Sequence, residues 1–124
     1  MAWRVHTLSR NTGSDWAHIN AMSCLQITLF LVSTTICVQA EFRNCKETLE
    51  TIPILGEDTF FQQEYASIGV HLKDRKIQLK LASEREAASL LDTILYMQMM
   101  YRLRLGLSSI TQNHTSTMKT PTGP

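Results

Sequence analysis

Side chains able to move protons, bind metals or attack electrophiles are few in this chain. Cys24, Cys37 and Cys45 share no C-x-x-C spacing, so neither a zinc site nor a thioredoxin-type redox pair is written here. His6, His18, His71 and His114 are scattered, and none has an acidic, Cys or His neighbour at ligand spacing. Ser, His and Asp all occur, without the spacing of any nucleophile–base motif. Glycine is too scarce for a phosphate-cradling loop. The reading is non-enzymatic: no catalytic residues, no cofactor and no metal.

What chemistry there is belongs to modification and contact. Asn113-His114-Thr115 is an N-glycosylation acceptor, used only if the chain is translocated. In the cytosol the same tail offers Thr120-Pro121 as a phosphosite instead. If Cys24 and Cys37 leave with a signal peptide, Cys45 becomes an odd thiol able to form an intermolecular disulfide; otherwise it is a small buried hydrophobe. Met97-Gln98-Met99-Met100 supplies flexible, polarizable side chains that serve either as packing filler or as an adaptable binding surface.

These groups must be held by elements, and residues 76–106 carry the strongest local signals. Lys76-Ile77-Gln78-Leu79-Lys80-Leu81 alternates polar and apolar, as a half-buried strand does. With residues 65–72, which set Ile68, Val70 and Leu72 on one side, it forms a hairpin around Lys73-Asp74-Arg75-Lys76. Ser83-Glu84-Arg85-Glu86 then fits a capping box, opening a helix over residues 84–105 that ends at Gly106 as a left-handed cap. Ala87, Leu90, Leu91, Ile94, Leu95, Met97, Tyr101 and Leu105 share its apolar arc. Tyr96, Met99, Met100 and Leu103 fall on the other side, so the second half is apolar all round and calls for a partner.

The rest of the 124-residue chain is read around that unit. Residues 1–20 are expected to hold little structure. Residues 25–38 form an uncharged apolar run ending in Val38-Gln39-Ala40, open to three readings. It is a signal peptide cleaved after Ala40, an uncleaved signal-anchor, or a buried strand of a cytosolic domain. Phe42, Cys45 and Leu49 are spaced for a short helix, and Phe60 and Phe61 are read as core donors, with an aromatic binding patch as the alternative. Residues 41–64 are acidic and residues 73–85 basic, which solvation explains, although the two could attract each other. A net charge of +1 gives no basic field for nucleic acid. Residues 108–124, rich in Ser and Thr, are expected to be disordered.

The strand at Ile77, Leu79 and Leu81, the Ser83–Glu86 cap and the amphipathic run through Leu95 resemble the closing strand and C-terminal helix of pleckstrin-homology-like domains. Leu90 or Leu91 stands where a tryptophan is common in that helix. The resemblance implies a helix plugging one end of a β-sandwich. Residues 41–81 are too short for the seven strands that precede it, so it also implies a truncated module whose helix lacks its usual cover.

The expected fold is therefore α+β: a small antiparallel hairpin packed on one long C-terminal helix with a disordered tail. The expected division is residues 1–40 as lead plus signal or anchor, 41–107 as the α+β unit and 108–124 as tail. A core this small is marginal and favours association. Two functions follow. One is a small secreted or membrane-routed protein that binds another protein, itself or a membrane surface through Tyr96, Met99, Met100 and Leu103. The other is a cytosolic scaffold or adaptor fragment carrying a truncated pleckstrin-homology-like module.

Overall fold

The computed structural model describes residues 1–13, 15–24 and 26–119, with the backbone alone from residue 107 on. In chain order the elements are β1 (Ala2–Val5), β2 (Thr7–Asn11), β3 (Trp16–Asn20), a short 3-10 turn (Ala21–Ser23), β4 (Gln26–Val32), β5 (Thr35–Glu41), β6 (Lys46–Pro53), β7 (Phe60–Glu64), β8 (Ser67–His71), β9 (Lys76–Lys80) and α1 (Glu84–Lys119). The strands form one sheet of four, β1-β4-β5-β6, and one of five, β3-β2-β9-β8-β7. Ile27, Leu29, Ile36 and Val38 from the first sheet and Leu8, Ile68, Val70, Ile77 and Leu79 from the second enclose a single core. The α+β class stands as expected, but the lone hairpin gives way to two full sheets.

The expected hairpin is β8–β9, antiparallel, with Ile68 opposite Leu79 and Val70 opposite Ile77. Its turn closes where the Leu72 amide donates to the Arg75 carbonyl at 2.9 Å. Strands around it come from residues 1–20, expected to hold little structure, and from residues 25–38, open to a leader, an anchor or a buried-strand reading; they take strand form. Residues 2–11 form one extended run bent at His6. Its first half pairs with β4 and its second half with β9 and β3. Val5 and Leu8 are both buried although three residues apart, because the bend resets the alternation. That phase change hides the strand from any search for period two.

Residues 26–41 alternate cleanly. Ile27, Leu29 and Leu31 on β4, and Ile36, Val38 and Ala40 on β5, point into the core. Gln26, Thr28 and Phe30 on β4, and Thr35, Cys37 and Gln39 on β5, are the outward-facing positions of the two strands. The boundary expected after residue 40 falls inside β5. Ser33-Thr34 makes the turn, with Ser33 at φ 57°. A positive φ at the first of two central residues is the geometry of a tight hairpin, usually given to glycine. The short helix expected around Phe42, Cys45 and Leu49 is instead a turn, with the Phe42 amide donating to the Cys45 carbonyl at 2.8 Å, leading into β6. A bulge opposite Val38 and Gln39 shifts the register at Leu49 and breaks the alternation there.

That bulge also turns Glu50 inward, where it is buried and bonded from the opposite sheet. Arg75 donates to Glu50 Oε1 from Nε at 3.1 Å and from Nη2 at 2.8 Å, and Arg10 donates from Nε to Oε2. Arg10 Nη2 also reaches the Leu49 carbonyl at 2.6 Å. Burial opposes the charge on Arg75, but its bonds and attraction to Glu50 outweigh that and raise its pKa above the ordinary arginine value. The acidic and basic segments thus meet through one desolvated clasp between the sheets, alongside solvated charges.

Helix α1 opens as expected, with Ser83 Oγ accepting from the Glu86 amide at 3.2 Å. It does not stop at Gly106, and no glycine among the described residues has a positive φ. A mid-helix glycine costs about 1 kcal/mol relative to alanine, which need not end a helix when the next proline is Pro121. Residues 108–119, expected to be disordered, therefore have helical backbone. Residues 120–124, with the Thr120-Pro121 pair, lie outside the described residues, as does Leu25.

Candidate functional site

Helix α1 is seated by one narrow stripe. Ala87, Leu90 and Ile94 are fully buried, with Leu91 and Met97 packed against the same core. Gln98 extends the stripe: its Nε2 donates to the Ile54 carbonyl at 2.7 Å in a buried contact beyond the end of β6. A turn further on, the Tyr101 and Ser33 hydroxyls share a hydrogen bond of 3.2 Å, tying the helix to the β4–β5 turn. At the start, Gln63 Nε2 donates to the Glu84 carbonyl at 3.2 Å from β7. The helix thus lies against β7 and β8 and is pinned beside both sheets, from the β7–β8 end to the β4–β5 end.

Beyond Tyr101 the support ends. Leu105 lies one turn past Tyr101, on the side that Ile94 and Gln98 present to the core, yet it is 60% exposed. The expected apolar arc is therefore shorter than its sequence suggests, and Leu95 at its edge is also exposed. At about 1.5 Å per residue, helical backbone continues for roughly 27 Å past Tyr101.

The face opposite the stripe carries the partner-binding candidates. Tyr96 is 56%, Met99 51%, Met100 36% and Leu103 56% exposed. At 100° per residue Tyr96, Met99 and Leu103 line the side directly away from Ile94, Gln98 and Tyr101, and Met100 borders them. Fully burying such a side chain is worth roughly 1.5–3 kcal/mol. Asp92 falls on this line one turn before Tyr96. Arg102 and Arg104 flank its far end, with the Arg104 guanidinium 5.3 Å above the Tyr101 ring. The arrangement can bind an apolar ridge bordered by charge; it offers no acid–base or nucleophilic function.

The other candidate groups are dispersed. Cys45 is exposed in the β5–β6 turn, and Cys24 and Cys37 are half-buried free thiols. Among the described residues no group of His, Cys, Asp and Glu could hold a metal ion, and no helix is long and apolar enough to cross a membrane. Asn113 lies on the far part of α1, where the backbone alone is described. Phe60, read as a core donor, instead faces outward and stacks on His71 with ring centroids 4.3 Å apart. On that outer sheet face Trp16, Gln62, Gly69, His71 and Gln78 line an open groove of about 250 Å³. The aromatic-patch alternative touched this face at Phe60, but sequence reasoning missed the rest of it because its residues come from different strands. The outward pairing of Phe60 with His71 follows from the β7–β8 register alone.

No protein-family model matches this chain, and no curated protein does at a meaningful level.

Proposed function

We propose that this chain is a non-enzymatic protein-interaction module that captures a partner on the outward face of α1, at Tyr96, Met99, Met100 and Leu103. The observation that carries the reading is the exposure of these four large apolar side chains on a helix already seated by its opposite side. No rearrangement of the core is needed to present them.

The pleckstrin-homology-like resemblance belongs to this proposal. Two antiparallel sheets, with the last strand β9 inside the second, a Ser83 cap and a helix packed on the core support it. The strands that residues 41–81 lack on their own are supplied by residues 2–41. The burial of Ile27, Leu29, Ile36 and Val38 favours the adaptor reading, in which residues 25–38 stay with the chain as core. Secretory routing is the rival, supported by the apolar run and the Asn113 sequon. Glycosidase-sensitive mobility of the expressed chain distinguishes the two, since only a translocated chain acquires N-glycans.

The surface is tested with Met99→Ser combined with Met100→Ser. Self-association, vesicle binding and capture of partner protein are compared with the unaltered chain. Loss of protein association with vesicle binding unchanged is the expected result. Survival of all three at full strength sinks the proposal.

A further inference from the structure

We infer that the partner on this face is a second copy of the chain, docked helix against helix in antiparallel sense. The inference rests on the preceding reading and names its occupant. Tyr96, Met99, Leu103 and Gly106 are spaced by three, four and three residues, the step of a helix–helix seam. The same stretch of helix is anchored on its own sandwich by Ile94, Gln98 and Tyr101, on the opposite side. A second helix therefore approaches without touching either sandwich, and the two sandwiches end up on the outer flanks of the pair.

Charge selects the occupant and its direction. The seam is acidic at its near end, where Asp92 continues the line, and basic at its far end, where Arg102 and Arg104 border it. Parallel pairing sets arginines against arginines. Antiparallel pairing of Tyr96 with the second copy's Met99 brings each Asp92 beside Arg102 of the other chain, so both ends are satisfied at once. Gly106 and Ser89 then face each other, and nothing lies within 4 Å of where a Gly106 side chain would begin, leaving the backbones room to approach. An anionic or neutral bilayer has no use for Asp92 on the centre line of the buried face.

The area is sufficient for a reversible dimer. Four large apolar side chains, Tyr96, Met99, Met100 and Leu103, each open to water over a third to somewhat more than half of its surface, offer on the order of 400 Å² per copy, about half the roughly 800 Å² of a standard-sized interface and in the range of weak, reversible ones. Such a dimer is concentration-dependent.

Sedimentation velocity of the full chain over a concentration series tests this. A monomer–dimer equilibrium is expected. Met99→Glu with Leu103→Glu should abolish it, with the far-ultraviolet spectrum unchanged because both residues are exposed. Asp92→Arg should weaken it about tenfold or more, and adding Arg102→Asp to that variant should restore it to within a few-fold. A chain monomeric at every concentration overturns the inference, as does a dimer indifferent to Met99→Glu with Leu103→Glu. So does an Asp92→Arg defect that Arg102→Asp fails to rescue. If the chain is monomeric yet Met99→Ser with Met100→Ser abolishes capture of a different protein, the broader proposal stands and this inference alone falls. A dimer insensitive to every variant on this face, with capture equally insensitive, removes both.

Discussion

The two halves of α1 are built from similar residues and live in different surroundings. Before Tyr101, Ala87, Leu90 and Ile94 are sealed in the core, and Gln98 completes the backbone bonding of Ile54. After it, Leu103 and Leu105 stand in water. Leucine at 90 and leucine at 105 have the same intrinsic helix propensity. The difference is that one has a sandwich under it. Isolated helices are marginal in water, and most of their stability in proteins comes from tertiary packing. The near half is thus held on one side by its own chain, and the far half has no such support.

The sharpest way to break this comparison is to hollow out the near half. Ile94→Ala should cost about 2–5 kcal/mol in denaturant unfolding, because the buried site cannot collapse around a smaller side chain. Leu103→Ala, in dilute protein, should fall within about 0.5 kcal/mol of the unaltered chain, as exposed positions do. Between these lies Gln98→Ala, which leaves the buried Ile54 carbonyl without its donor and should cost about 1–3 kcal/mol. A Gln98→Ala variant as stable as the parent would mean that the helix is not seated at that point.

Gly106→Ala separates a continuing helix from one that stops. In a continuing helix it adds up to about 1 kcal/mol of local helix stability, read as greater helical ellipticity. At a left-handed cap the same change is unfavourable by a similar amount.

How much of this was legible follows from the same physics. The capped start of α1, the apolarity around Tyr96 and Met99, and the β8–β9 hairpin depend on residues close in sequence, so periodicity and capping chemistry reveal them. The rest depends on partners far away. Residues 2–11 hold too few apolar side chains to signal a strand, and their bend at His6 puts Val5 and Leu8 out of phase. The β4–β5 and β7–β8 turns use Ser33 and Tyr65 at positive φ, where sequence reading looks for Asn-Gly or Asp-Gly. The alternation of β4 and β5 is present in the chain, but so is an apolar run of leader-like length. Only the pairing of Ile27 with Ala40 and Leu29 with Val38 identifies it as core. The end of the helix misleads in the opposite direction, because Gly106 permits a cap without requiring one.

Amide hydrogen exchange resolved along α1, followed over a concentration series, tests the account most directly. In dilute protein, amides of residues 87–101 should be protected to near the global stability and those of residues 102–119 should exchange quickly. Raising the concentration should slow exchange around residues 102–106 and leave residues 87–101 unchanged. Uniform protection from residue 84 to residue 119 in dilute monomer would mean that the outward face is already covered by its own chain, and would contradict the account.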